Sequence, residues 1–158
     1  MAELNPNIFL KIDNVDGNAI PPTYKGQIVI SSWSWAVSND SGPAAVQQGN
    51  TRVSGLSLTK RHCNATAGLM TLCSAGNINA KIKAVLTVCR TGKALVPYVT
   101  ITMSDVLVSH VHVGGAEGQD PMDQFVLQFN TIDYAFASLD NKKPTFMYKI
   151  TEATSTGA

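Results

Sequence analysis

Ile82-Lys83-Ala84-Val85-Leu86-Thr87-Val88 alternates with a period of two, and Val99-Thr100-Ile101-Thr102-Met103 repeats the pattern further along the chain. Thr and Lys recur opposite the apolar positions, so each stretch describes a strand with one buried and one polar face. That is the pattern of antiparallel sheet. Working outward, residues 8–12 (Ile8-Phe9-Leu10-Lys11-Ile12) form a first strand, and residues 13–17 supply turn residues after it. Residues 27–37 are rich in β-branched and aromatic side chains. A period of two there puts Trp33, Trp35 and Val37 on one face, with Ser34 and Ala36 on the other. Residues 52–59 alternate again, with Gly55 as a possible bulge. Residues 80–90, 98–113, 124–136 and 146–151 are dense in Val, Ile, Thr, Phe or Tyr and are separated by Gly, Pro, Asn or Asp clusters.

One helix interrupts this series. Asn64 stands at its N-cap, Leu69, Met70, Leu72 and Cys73 fall on one stripe, and Gly76-Asn77 is a stop signal. Many antiparallel strands with a single helix predict an all-β fold with one short α-helix: a closed or nearly closed antiparallel β-barrel or sandwich with the helix appended. A single domain accounts for residues 1–158, and Thr154-Ser155-Thr156-Gly157-Ala158 is expected as a small polar tail that need not be ordered.

The 158 residues carry 12 Lys plus Arg against 11 Asp plus Glu, a formal net charge of +1. This balance supplies no electrostatic case for nucleic acid or for a membrane surface. Charged residues make up 15% of the chain, below the ~25% of ordinary soluble domains, which suggests a surface that meets other protein. No run reaches the ~18 apolar residues of a membrane span, and the start Met1-Ala2-Glu3-Leu4-Asn5-Pro6 lacks the features of a secretory signal. Synthesis as a cytoplasmic protein is expected. Cys63, Cys73 and Cys89 are odd in number and unlike zinc or redox pairs in spacing, so they read as reduced, small apolar residues.

Motifs for chemistry are sparse. His110 and His112 share a strand face at i, i+2, but spacing places no third ligand, so they read as polar residues meeting solvent or a neighbouring subunit. His62 and Cys63 are adjacent near a helix start, with nothing in the sequence to orient the imidazole, and read as a pre-helix loop. Glu117, Asp120 and Asp123 fit a solvated loop, and no spacing pairs them or Asp105 as acid and base. Lys60-Arg61 with Lys81 and Lys83 is the one basic grouping, expected to be solvated or subunit-facing. Asn39-Asp40-Ser41 and Asn64-Ala65-Thr66 match the glycosylation acceptor pattern by chance. No nucleotide-binding or hydrolase motif occurs. Neither an enzyme nor a cofactor or metal site is expected. A carbohydrate-binding module is the competing class; it requires exposed stacking aromatics, against which the face shared by Trp33 and Trp35 argues.

Ile8-Phe9-Leu10-Lys11-Ile12 with Val15-Asp16-Gly17, then Ser32-Trp33-Ser34-Trp35-Ala36-Val37-Ser38, then Leu56-Ser57-Leu58-Thr59-Lys60 before the helix, followed by Ile101-Thr102-Met103-Ser104-Asp105-Val106-Leu107-Val108 and Val126-Leu127-Gln128-Phe129, resemble the haemolysin-coregulated protein (Hcp) family. The resemblance spans nearly the whole chain. It implies a β-barrel with one flanking helix, related to phage tail-tube subunits. It further implies a homohexameric ring, rings stacked into the hollow inner tube of a type VI secretion system, and export without a signal peptide. Its partners would be other copies of itself, effectors, sheath and spike or baseplate proteins, with no nucleic acid and no membrane insertion.

On this resemblance Ser34, opposing the tryptophans, is expected to line the lumen and touch cargo. The loop holding Asn39, Asp40, Ser41, Gly42, Pro43, Gln47 and Gln48, and the segment from Gly114 and Gly115 through Glu117 to Pro121, are expected to contact neighbouring subunits or rings.

Overall fold

The fold comes from a computed structural model, which describes residues 6–39, 51–76, 81–90, 95–138, 142–149 and 154–157. In chain order the strands are β1 (Ile8–Ile12), β2 (Ile28–Val29), β3 (Ser32–Ser34), β4 (Val37–Asn39), β5 (Thr51–Val53), β6 (Leu56–Arg61), β7 (Ala84–Arg90), β8 (Val96–Ser104), β9 (Leu107–Gly114), β10 (Met122–Gln128), β11 (Thr131–Phe136), β12 (Thr145–Lys149) and β13 (Thr154–Gly157), with helix α1 (Ala65–Ala75) between β6 and β7. Among the described residues every pairing is antiparallel. Seven strands run in the order β13-β12-β11-β8-β7-β1-β2, four in the order β3-β6-β10-β9, and β4 and β5 form a separate ribbon. The expected all-β fold with one short helix is what forms, its ladders falling into facing sheets around a shared core.

The alternation that marks the strands also builds that core. Leu10, Leu86, Ile101 and Ile132 from the large sheet meet Leu56, Leu58, Phe125 and Leu127 from the small one, with Leu69 of α1 in the same cluster. Burying each such side chain contributes roughly 1.5–3 kcal/mol. A smaller cluster of Phe9, Ala19, Tyr24 and Cys89 lies apart from it. Phe9 and Tyr24 stack with centroids 4.3 Å apart, and the Cys89 thiol donates to the Tyr24 hydroxyl at 3.3 Å. Burial first, then the hydrogen bond shared with Cys89 and the Cys89 charge, pushes the Tyr24 phenol up to about 12.

Three segments expected as continuous strands are divided where the chain passes from one sheet to the other. Residues 28–34 leave the large sheet as β2 and enter the small one as β3. Across Ile30 and Ser31 the ladder is kept, Ile30 N–H donating to Ile8 O at 3.0 Å and Ser31 N–H to Thr59 O at 2.8 Å. β8 passes to β9 through Asp105, whose φ of 53° turns the chain, and Val106 N–H then donates to Ile82 O at 2.9 Å. β10 passes to β11 through Phe129 and Asn130, with Asn130 N–H donating to Ser104 O at 3.0 Å. At each crossing the buried parity changes: Ile28 and Ile30 give way to Trp33 and Trp35, Met103 to Val106, and Phe129 to Ile132.

α1 begins and ends where expected. Asn64 holds the N-cap position, yet its side chain donates to Gly17 O at 3.2 Å and so ties the helix start to the turn after β1. Gly76 has φ 58° and its N–H returns to Leu72 O, a left-handed stop that glycine permits. Leu69 is fully buried and Leu72 and Cys73 half-buried, but Met70 is exposed and off the stripe. Val37 is likewise exposed, because the strand bearing Trp33 ends at Ser34 and the chain resumes in the β4-β5 ribbon. Thr154–Gly157, expected as a tail without need of order, pairs with β12 as an edge strand.

Candidate functional site

The four-stranded sheet turns one face to the core and the other outward. Two rows cross the outward face. Ser32 of β3, Thr59 of β6, Gln124 of β10 and His112 of β9 are successive register partners, as are Ser34, Ser57, Val126 and His110. The strands between them frame a shallow recess of about 280 Å³. Ser32 Oγ and Thr59 Oγ1 hydrogen bond across it. Every side chain of both rows is uncharged or an imidazole, and Arg61, opposite Met122, stands at one end.

Ser34 is exposed on this face and lines the recess, opposite in phase to the half-buried Trp33. Trp33 and Trp35 both pack against the core, and Trp35 lies 6.2 Å from Tyr134 and 6.0 Å from Phe146 between ring centroids. Neither tryptophan is an exposed stacking platform. His110 and His112 are exposed, with centroids 6.5 Å apart. Among the described residues no three His, Cys, Asp or Glu side chains group as metal ligands, and no helix is long and apolar enough to cross a membrane.

Asn39 ends β4 and pairs with Thr51. Asp40, Ser41, Gly42, Pro43, Gln47 and Gln48 lie outside the described residues. Gly114 ends β9 opposite Met122, and Gly115 and Glu117 are exposed in the connection to β10.

Behind the sheet lies a cluster that corrects three expectations. Lys60, expected in a solvated or subunit-facing group, is wholly buried, and so is Asp123, expected in a solvated loop. They are register partners on β6 and β10, with Nζ and Oδ2 2.6 Å apart. Thr66 of α1 donates to the same carboxylate oxygen at 2.5 Å and accepts from Lys60 at 2.8 Å. The other oxygen, Oδ1, lies 3.1 Å from His62 Nδ1, so the imidazole at the helix entrance is oriented after all. Cys63 Sγ sits 3.5 Å from Lys60 Nζ. Burial raises the Asp123 carboxyl, but hydrogen bonds from Lys60, Thr66 and His62 together with the Lys60 charge outweigh it, and the group is held below the ordinary carboxylate value. The signal for this pair was in the alternation: Leu56, Leu58 and Lys60 share one phase, and so do Asp123, Phe125 and Leu127. The network ties both central strands to the start of α1.

Residues 9–136 match the family model for the type VI secretion system effector Hcp. The chain belongs to the Hcp family. It is 32% identical over 138 residues to protein hcp1 of Pseudomonas aeruginosa, covering 85% of this chain and 82% of that protein. Among solved structures, Hcp1 from Salmonella typhimurium superposes with a TM-score of 0.79 at 22% identity over 97% of this chain and 100% of its own. Hcp2 from the same organism gives 0.71 at 26% identity, over 94% and 98%. A type VI secretion system effector from Yersinia pestis gives 0.76 at 19%, over 90% and 99%.

Proposed function

We propose that this Hcp protein is a structural, non-catalytic subunit of the type VI secretion inner tube. Six copies close into a ring, rings stack into a hollow tube, and the tube assembles in the cytoplasm before export through the apparatus with its effectors. The observation that carries this reading, beside family membership, is the outward face of the β3-β6-β10-β9 sheet. It is broad, set with short hydroxyl side chains, and free of carboxylates. Such a face can line a passage without gripping every charged polypeptide that enters it. Ser34, on the edge strand β3 of this face, is the lumen contact for cargo. The Gly114 to Glu117 connection and the residues from Asn39 onward supply contacts within and between rings, and head-to-tail contacts of this kind close when their rotation permits. Sheath and spike or baseplate proteins are the remaining partners.

Light scattering at several protein concentrations, paired with negative-stain microscopy of the same samples, tests the reading. A mass of six chains and six-fold rings with an open centre are expected. A monomer at every concentration overturns it.

A further inference from the structure

We propose that the outward face of the β3-β6-β10-β9 sheet docks polypeptides with acidic surfaces, and that His110 and His112 tighten this grip as the solution is acidified. If the tube reading above holds, this names the chemistry of the cargo.

The charge inventory of the face points one way. Its two rows contain no carboxylate, and Arg61 stands at one end. Of the charged residues on the core side, Lys60 and Asp123 are buried and satisfy each other. Helix α1, also packed on β9, has no charged side chain, and its one ionisable group is the Cys73 thiol. The nearest acidic residues along the chain outside the buried pair are Asp105, at the β8–β9 crossing and half-buried, and Glu117 and Asp120, in the turn beyond the Met122 end of the rows. The groups on this face whose charge can change near neutrality are therefore the two imidazoles. Histidine changes charge between about pH 5 and 8.

Geometry supports one shared anionic partner. The exposed rings lie 6.5 Å apart with a tilt of 32°, and His110 lines the same recess as Ser34, Ser57 and Gln124. Hydroxyl, amide and protonated imidazole donors all suit carboxylate oxygens. Two imidazolium ions this close repel each other unless an anion lies between or over them. Acidic partner and protons therefore favour each other's binding reciprocally. A polypeptide is the better fit than a nucleic acid: the chain's net charge is only +1, and of the Trp and Phe rings that line the recess Trp33 is half-buried and Phe125 wholly buried.

The test uses the intact protein, with its oligomeric mass measured first at about pH 5.5 and about pH 8 to bracket histidine titration. Fluorescence anisotropy then follows a labelled oligo-aspartate peptide, its oligo-asparagine counterpart and an oligo-thymidine. The aspartate peptide is expected to bind about tenfold tighter at the lower pH, the effect of two exposed charge pairs, while the asparagine peptide shows no such change. H110Q/H112Q should abolish the difference and H62Q should retain it. Equal affinity at both pH values, a difference that survives in H110Q/H112Q, or tighter binding of oligo-thymidine than of oligo-aspartate overturns the inference. A monomeric protein that still shows the His110- and His112-dependent effect keeps the docking face and removes the tube.

Discussion

Asp123 and Lys60 face each other across the β10-β6 ladder and close an ion pair of 2.6 Å with neither side chain exposed. Thr66 completes the contact from the helix, so one carboxylate joins three elements.

Removing one partner should therefore cost more than removing both. Lys60→Met leaves a buried carboxylate without its cation and is expected to destabilise the subunit by about 3–5 kcal/mol. The double variant K60M/D123L should recover much of that loss. Urea unfolding of the wild type and the two variants checks the order. Equal losses in both would mean that the pair contributes no more than its packing volume.

The depressed Asp123 carboxyl has a pH consequence whose sign is set by its direction. An unfolded aspartate titrates at about 3.9, and the folded group titrates lower. The pair's stabilisation is thus complete above the unfolded value and is lost as pH falls through the folded one. Stability measured downward from about pH 5 should decline more steeply in the wild type than in D123N. Parallel curves would assign acid sensitivity to other groups.

Gly17 has no room for a side chain. A Cβ built there would lie 2.3 Å from the carbonyl oxygen of Gln27, and Gly17 N–H donates to Gly26 O at 2.7 Å in the same turn. Gly17→Ala should destabilise by about 1–3 kcal/mol, the range of small-to-large changes in packed sites. Thermal unfolding compares it with Gly118→Ala, where φ is 79° but nothing lies within 4 Å, so its cost is conformational and about 1 kcal/mol.

Tyr24 should ionise late. Its phenol, buried against Phe9 and bonded to Cys89, is pushed up to about 12. Cys89→Ala removes the thiol contact and should bring the Tyr24 transition to lower pH, read as phenolate absorbance during alkaline titration. No movement would leave burial as the whole cause.

At Ser34, replacement by glutamate should impair cargo retention while the oligomeric mass stays unchanged. Co-purification of a co-expressed effector measures retention, and light scattering measures the mass. Unchanged retention would remove Ser34 from the cargo contact.

The antiparallel strands and the helix were legible because period and capping residues are local properties. Gly76 and the alternation from Ile82 through Val88 needed no knowledge of the rest of the chain. The sheet crossings at Ser31, Asp105 and Asn130 were harder to see, since strand-forming composition continues through all three. A signal was present even so: buried parity shifts from Met103 to Val106 and from Phe129 to Ile132, and a change of phase inside one apparent strand marks a corner. The Lys60–Asp123 pair was hidden by residue type. Both positions carry the apolar phase of their strands, but a lone charge reads as solvated until its partner across the ladder is known. No local pattern encodes the angles on which contacts between copies of a chain would depend.

Where β2 becomes β3, β8 becomes β9 and β10 becomes β11, the same covalent backbone belongs to both sheets. A pull or shear applied to one wall of the subunit is thus carried into the other along peptide bonds, and not only across the side-chain packing between them. The walls cannot slide apart as separate plates, and a subunit built this way should yield to mechanical load as one body.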